Sequence, residues 1–122
     1  MALRILVVDD YQVARKTIGA LLSWHSMEVC GEAENGKQAL EKVKELNPDL
    51  VLLDINMPVM NGVQAAYEIH RIAPHTKIVF FTVHDSPEAV AACHTVGVDG
   101  FVPKAAAGTQ LIPTVQRLLK IA

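Results

Sequence analysis

Short apolar runs rich in β-branched residues alternate with helical patterns along this chain. That alternation restricts the fold more than any other feature of the sequence. The clear runs are Ile5–Val8, Val51–Leu53 and Ile78–Phe81, with weaker ones at Met27–Ala33 and Gly100–Val102. They are continuous rather than every second residue, which is the pattern of strands covered on both faces. Between them, apolar residues recur at helical spacing. The sets are Ala14, Ile18, Leu21 and Leu22; Ala39, Leu40, Val43 and Leu46; Ala65, Ala66, Ile69 and Ile72; Ala89, Val90, Cys93 and Val96; and Leu111, Val115, Leu118 and Leu119. Five βα units with short connections imply a doubly wound, five-stranded parallel sheet with helices on both faces. Ligands of such sheets bind beyond the carboxyl ends of the strands.

Local punctuation agrees with this division. Asn35 is placed to cap the second helix, and Asn47-Pro48 ends it, because a residue before proline avoids helical angles. Ser86-Pro87 reads as an N-cap followed by proline at the first helical position, and Gly97 closes the same helix. With Thr109 as cap, Pro113 falls near the first turn of the last helix, where it can introduce a kink. Trp24 near the end of the first helix is expected to be partly packed. His25, His70, His75 and His94 are expected at the surface or at helix ends.

Composition removes several classes of function. At 122 residues the chain suits one domain around one core. Hydrophobic residues make up 51% and charged residues 20%, with a net charge of -2, so no basic block is available to grip nucleic acid. No apolar stretch approaches the roughly 20 residues of a membrane span. Arg4 interrupts the first apolar run, and no cleavage site follows it, so no secretory signal is expected. Cys30 and Cys93 lack zinc or disulfide spacing and read as reduced packing residues of a cytoplasmic protein. The histidines show no metal-ligand spacing.

The chemistry collects at the strand ends. The first strand stops at Asp9-Asp10, the third at Asp54, the fourth at Thr82 and the fifth at Lys104. Any one acid here is as readily the solvated cap of the next helix, Asp10 especially. Five such residues at one edge are hard to explain that way. Three carboxylates in one pocket call for a cation, and an all-oxygen set without Cys or His suits Mg²⁺.

The stretches "ILVVDD", "DLVLLDINMPVMNG", "IVFFT" and "GVDGFVPK" together resemble the receiver domain of two-component response regulators over essentially the whole chain. The resemblance implies a flavodoxin-like (CheY-like) fold with strand order 2-1-3-4-5 and five helices. It implies that Asp54 accepts a phosphoryl group from a histidine kinase or phosphotransfer protein. It implies Mg²⁺ held by Asp9, Asp10, Asp54 and the backbone carbonyl of Asn56, with Lys104 and Thr82 contacting the phosphoryl group. Thr82 and Phe101 then stand at the switching positions. Met57-Pro58 and Gly62 shape the loop after Asp54, glycine being able to take angles other residues avoid.

"TVHDSPE…GVDGFVPKAA" most resembles receivers of NarL/FixJ-type regulators, in which a DNA-binding domain comes next. Residues 1–122 therefore read as a receiver domain without an output domain, either stand-alone or part of a longer transcription regulator. Signal would leave through the face made by the fourth helix, fifth strand and fifth helix, which also offers a route to homodimers. DNA would be reached only through an output domain, and no membrane partner is expected.

Two positions depart from the commonest family pattern. Ala105 rather than proline follows Lys104, and Phe101 lacks the hydroxyl of a tyrosine. His84, two residues past Thr82, stands where an imidazole can meet the phosphate or an attacking water, or simply be solvated. An enzyme turning over an external substrate is not expected. A phosphatase with an aspartyl nucleophile would want a DxD motif after the first strand, and "VVDDY" lacks it. A flavin carrier would want a phosphate loop rich in Ser, Thr and Gly there, and "DDYQVARK" is none. The intact acid set argues against a degenerate receiver that serves only as an interaction module.

Overall fold

A computed structural model describes residues 3–83 and 86–119. Its elements in chain order are β1 (Arg4–Val8), α1 (Gln12–Trp24), β2 (Glu28–Ala33), α2 (Gly36–Leu46), β3 (Leu50–Leu53), α3 (Gly62–Ile72), β4 (Lys77–Thr82), α4 (Pro87–Val96), β5 (Gly100–Pro103) and α5 (Ile112–Leu118). The strands form one parallel sheet, as the βα alternation implies, in the order β2-β1-β3-β4-β5 that the resemblance implies. Every residue of β3 is buried, as are all but the first of β1 and of β4. The edge strands β2 and β5 are less covered, which is why their apolar runs are weaker in the sequence.

Two apolar layers result. Ile5, Val7, Leu50, Leu52, Val79 and Phe81 meet Ile18 and Leu22 of α1 and Ile112 and Val115 of α5. Their sheet neighbours Leu6, Val8, Val51, Leu53, Ile78 and Phe80 meet Ala39 and Val43 of α2, Ala65, Ala66 and Ile69 of α3, and Cys93 of α4. Successive strand residues point to opposite faces, so one continuous run feeds both layers. Among the described residues, no helix is long and apolar enough to cross a membrane.

The expected caps form. The Asn35 side chain accepts from the N–H of Gln38, Ser86 accepts from that of Ala89 with Pro87 behind it, and Gly97 closes α4 at φ 79°. Asn47 ends α2 in the left-handed region at φ 48°. A capping box not singled out in the sequence begins α3. The Asn61 side chain accepts from the N–H of Gln64, and the Gln64 side chain accepts from that of Asn61.

Three expectations are corrected. Trp24 is not partly packed but 84% exposed, because the buried stripe of α1 runs through Ile18 and Leu22, and two residues past Leu22 the helix faces outward. Val90, placed on the apolar face of α4, is 39% exposed. Thr109 does not cap the last helix. A 3₁₀ turn at Lys104–Ala106 and a π turn at Ala107–Leu111 precede α5, and the Thr109 hydroxyl bonds back to the Ala106 carbonyl at 3.4 Å. Pro113 has no N–H to give the carbonyl four residues back, and its ring crowds that carbonyl; a widened turn relieves both. The peptide bond after Lys104 is trans.

The loop between β3 and α3 is tightly folded. Gly36 N–H donates to the Met60 carbonyl at 2.9 Å, and Gly62 N–H to the Ile55 carbonyl at 2.7 Å. Gly62 is required for a reason other than free backbone angles. A Cβ there would lie 2.0 Å from the Asp54 carbonyl oxygen, so the loop can close on the strand end only over a glycine. The left-handed angle falls instead on Val59, at φ 70°. Met60 N–H donates to the Pro58 carbonyl at 2.7 Å, which makes Val59 the centre of the strained form of γ-turn. Its side chain is 77% exposed and contributes little packing in return. Val59→Asn should therefore raise stability by about 1 kcal/mol, since asparagine tolerates this region and valine does not. Thermal melting followed by circular dichroism checks it; an unchanged or lower melting temperature would show that the turn holds no such strain.

Candidate functional site

The four inner and edge strands β1, β3, β4 and β5 deliver their last residues to one rim. Val8 stands opposite Leu53, Leu53 opposite Phe80, and Thr82 opposite Pro103. Asp9, Asp54, Thr82 and Lys104 therefore arrive together from positions far apart in sequence. The pairing continues one step past the strands: Asp9 N–H donates to the Ala33 carbonyl and Asp54 N–H to the Val8 carbonyl, both at 3.0 Å.

Side chains complete the cluster. The Lys104 ammonium donates to Asp9 Oδ2 and, at 3.3 Å, to Asp54 Oδ2. The other Asp9 oxygen accepts from Tyr11 N–H at 2.9 Å, an Asx turn that aims the carboxylate. Asp54 Oδ1 accepts from its own neighbour, Ile55 N–H, at 2.8 Å. Asp9, Asp54 and Thr82 are buried, whereas Asp10 is exposed. Each of Asp9, Asp10 and Asp54 offers a carboxylate oxygen within 4.8 Å of the others. Carboxylates so close repel unless a cation lies among them, and the donors are all hard oxygens. The set fits Mg²⁺.

Burial pushes the Asp54 pKa up. The Lys104 charge opposes that rise, the Asp9 charge adds to it, and a hydrogen bond from Thr82 opposes it again; the net effect leaves the pKa above the usual carboxylate value. Burial works against the Lys104 ammonium, but its hydrogen bond to Asp9 and the charges of Asp54 and Asp9 outweigh it and hold the pKa above that of a free lysine. Burial likewise raises the thiols of Cys30 and Cys93, which suits packing residues rather than nucleophiles.

The other expected positions are less central. Asn56 lies exposed in the loop two residues past Asp54. Phe101 is half-buried on β5 opposite Phe80 and packs on the α2–α3–α4 side of the sheet. His84 lies outside the described residues. His25, His70, His75 and His94 are exposed. One residue absent from the sequence reading stands beside the cluster: Arg15, whose guanidinium donates to the Asp9 carbonyl at 2.7 Å. A single arginine one turn into a helix carries no spacing signal that would have marked it.

The family model described as the response regulator receiver domain matches residues 5–116. The chemotaxis protein CheY of Thermotoga maritima is 35% identical over 98% of this chain and 100% of its own length. The response regulator protein VraR of Staphylococcus saprophyticus is 33% identical over 96% of this chain, which spans 56% of VraR. Among solved structures, the signal receiver domain of the putative response regulator NarL from Mycobacterium tuberculosis superposes with a TM-score of 0.91 at 33% identity. That match covers 99% of this chain and 98% of the other.

The raised Asp54 pKa fixes the sign of a stability effect. Between the unfolded and folded pKa values the native state binds the extra proton, so ionising Asp54 as pH rises costs stability in the metal-free protein. Asp54→Asn should thus raise the metal-free melting temperature at neutral pH, with the gain shrinking as pH falls through the carboxylate range. Melting curves across that range, with chelator present, read this directly; a gain that persists at acid pH would place its origin elsewhere.

Proposed function

The chain belongs to the receiver domains of two-component response regulators, and on that footing we propose that Asp54 is its phosphoacceptor. The observation that carries the reading is the Lys104 ammonium bonded to both Asp9 and Asp54 at the rim of the sheet, with Asp10 beside them. In the proposed reaction an Asp54 carboxylate oxygen attacks the phosphorus of a phosphohistidine on a kinase or phosphotransfer protein. The N–P bond breaks, the imidazole departs with its electron pair, and an acyl phosphate remains on Asp54. Charge in such a transfer spreads over the equatorial phosphoryl oxygens. Lys104 is positioned to leave its two carboxylates and meet one of those oxygens. The Thr82 hydroxyl, already hydrogen-bonded to Asp54, can donate to another.

Mg²⁺, held by Asp9, Asp10, Asp54 and the Asn56 carbonyl, would neutralise the carboxylates and the transferring group. The site acts on itself, one phosphoryl group per Asp54, rather than turning over a substrate. A cytoplasmic setting suits this chemistry and the reduced cysteines.

The output follows from where Thr82 and Phe101 lie. Both belong to strands that border α4, and their rearrangement would alter the face of α4, β5 and α5, for a protein partner or for a second copy of the chain. The likeness to the transcriptional regulatory protein DegU of Brevibacillus brevis, 32% identical over 93% of this chain, supports a role in regulating transcription through an output domain. The full-length match to CheY supports a second reading, a stand-alone receiver that acts by protein contact. His84 remains a proposed modulator of phosphoryl lifetime.

Two measurements test this reading. A small radiolabelled phosphodonor should label the wild type only with Mg²⁺ present and should not label Asp54→Asn. Equal labelling of both would reject Asp54 as the acceptor. Beryllofluoride with Mg²⁺ should shift amide NMR signals in Pro87–Val96 and Ile112–Leu118 as well as around Asp9, Asp54 and Lys104. Shifts confined to those loops would show that this face does not respond.

A further inference from the structure

We infer that Arg15 is a positioning residue for the Asp9–Asp10 pair: its guanidinium pins the backbone carbonyl of Asp9 and thereby sets where both carboxylates stand. The inference rests on the reading of the acidic cluster as a Mg²⁺ site.

Arginines on helix surfaces ordinarily carry their charge out to water. The Arg15 side chain is instead only 13% exposed, folded in between α1 and the ends of β1 and β2. Nη1 donates to the Asp9 carbonyl at 2.7 Å, and Nε donates to Glu32 Oε1 at 2.8 Å. Glu32 lies on β2 opposite Val7, so the guanidinium is braced against the neighbouring strand rather than its own helix.

The place it occupies is where strand pairing stops. The Asp9 N–H still reaches the Ala33 carbonyl on one side, and the Val8 carbonyl still receives Asp54 N–H on the other. The Asp9 carbonyl is the first group past those rungs, and Arg15 supplies its donor. That carbonyl belongs to the rigid peptide plane joining Asp9 to Asp10. Fixing its oxygen fixes the direction in which the Asp10 Cα leaves the strand. The Asp9 carboxylate has its own restraints in Tyr11 N–H and Lys104. Asp10 is exposed, so its aim depends on the backbone that Arg15 holds. Only a planar fork serves both acceptors in this way; a lysine ammonium can hold the carbonyl but loses the fixed geometry toward Glu32.

The experiment titrates Mg²⁺ into the full chain by calorimetry, well below the melting transition, with amide NMR shifts of Asp9, Asp10 and Asp54 as a second readout. The proteins are wild type, Arg15→Gln, Arg15→Lys, Glu32→Gln and the Arg15→Gln/Glu32→Gln double variant. Groups that orient metal ligands commonly alter affinity by tenfold or more, so Arg15→Gln should bind Mg²⁺ about tenfold more weakly. Arg15→Lys should recover part of that loss. Glu32→Gln, with Arg15 intact but unbraced, should also weaken binding, and the double variant should be no worse than Arg15→Gln alone.

A merely structural role would lower the melting temperature and leave Mg²⁺ affinity at its wild-type value, which would overturn the inference. Should Arg15→Gln fail to fold, Glu32→Gln decides, because its side chain is about half exposed. Wild-type affinity in that variant would overturn the inference, and weaker binding would uphold it. Wild type that takes up no Mg²⁺ would overturn the reading of the site, separately from the role of Arg15.

Discussion

Three carboxylates and one ammonium share a single rim of the sheet, and the arrangement of the rim follows from keeping those like charges together. Asp9 and Asp54 are buried, so water screens their mutual repulsion poorly. Lys104 answers part of that charge by bonding to both. One ammonium against three acids leaves a net negative pocket, which suits a divalent cation and fits the proposed role of the rim in receiving a phosphoryl group. Burial of Asp54, with the Asp9 charge adding to it and Lys104 only partly offsetting it, raises the Asp54 pKa and opposes folding at neutral pH. Stability is given up locally where chemistry needs charge, and the two apolar layers on either side of the sheet supply the compensation.

The parallel sheet makes this concentration possible. Each strand points its carboxyl end to the same edge, and β1, β3 and β4 are buried along almost all of their length, so the edge cannot shift without disturbing core packing. The surrounding loops are correspondingly taut. The chain after Asp54 turns through Val59 at a left-handed angle, clamps on Gly36, and closes over Gly62 with no room for a side chain. That loop also carries Asn56. A taut loop suits the proposed role of Asn56 as a cation ligand, and the left-handed angle at Val59 is where that tight closure falls on a residue ill suited to the turn.

Much of this was legible in the sequence, and the boundary of legibility has a physical cause. Fold class and the residues of the rim follow from signals that are local or periodic: apolar runs, helical spacing, Asn35 and Ser86 at helix starts, acids at strand ends; the strand order comes from the family resemblance. The misplaced features depend on three-dimensional neighbours. Trp24 has the composition of a packed residue, and its exposure follows only from which way the last turn of α1 faces. Gly62 is expected from the sequence to shape the loop through the backbone angles that glycine allows, but its need is clearance from the Asp54 carbonyl. The π turn before α5 answers Pro113 through a carbonyl position that no pattern specifies. Arg15 went unseen because its partners, Asp9 and Glu32, lie on two different strands.

A switch built on this frame must work with what can move. Thr82 is fully buried, and its hydroxyl bears on the Asp54 carboxyl, so the proposed phosphoryl group on Asp54 would compete for it. Phe101 is half-buried at the edge strand, in the groove beneath α4 with Val90, Cys93 and His94. The packed centre of the sheet has no such opening: Phe80, across from Phe101, is completely enclosed. In the proposed switch, a displacement begun at Thr82 would meet less packing toward β5 and α4 than through the enclosed β3. Coupling of this kind requires two discrete arrangements that phosphorylation favours unequally. The half-exposed edge, with Val90 of α4 open to solvent above it, is less tightly covered than the centre of the sheet, and it is there that the proposed switch would have room for a second arrangement.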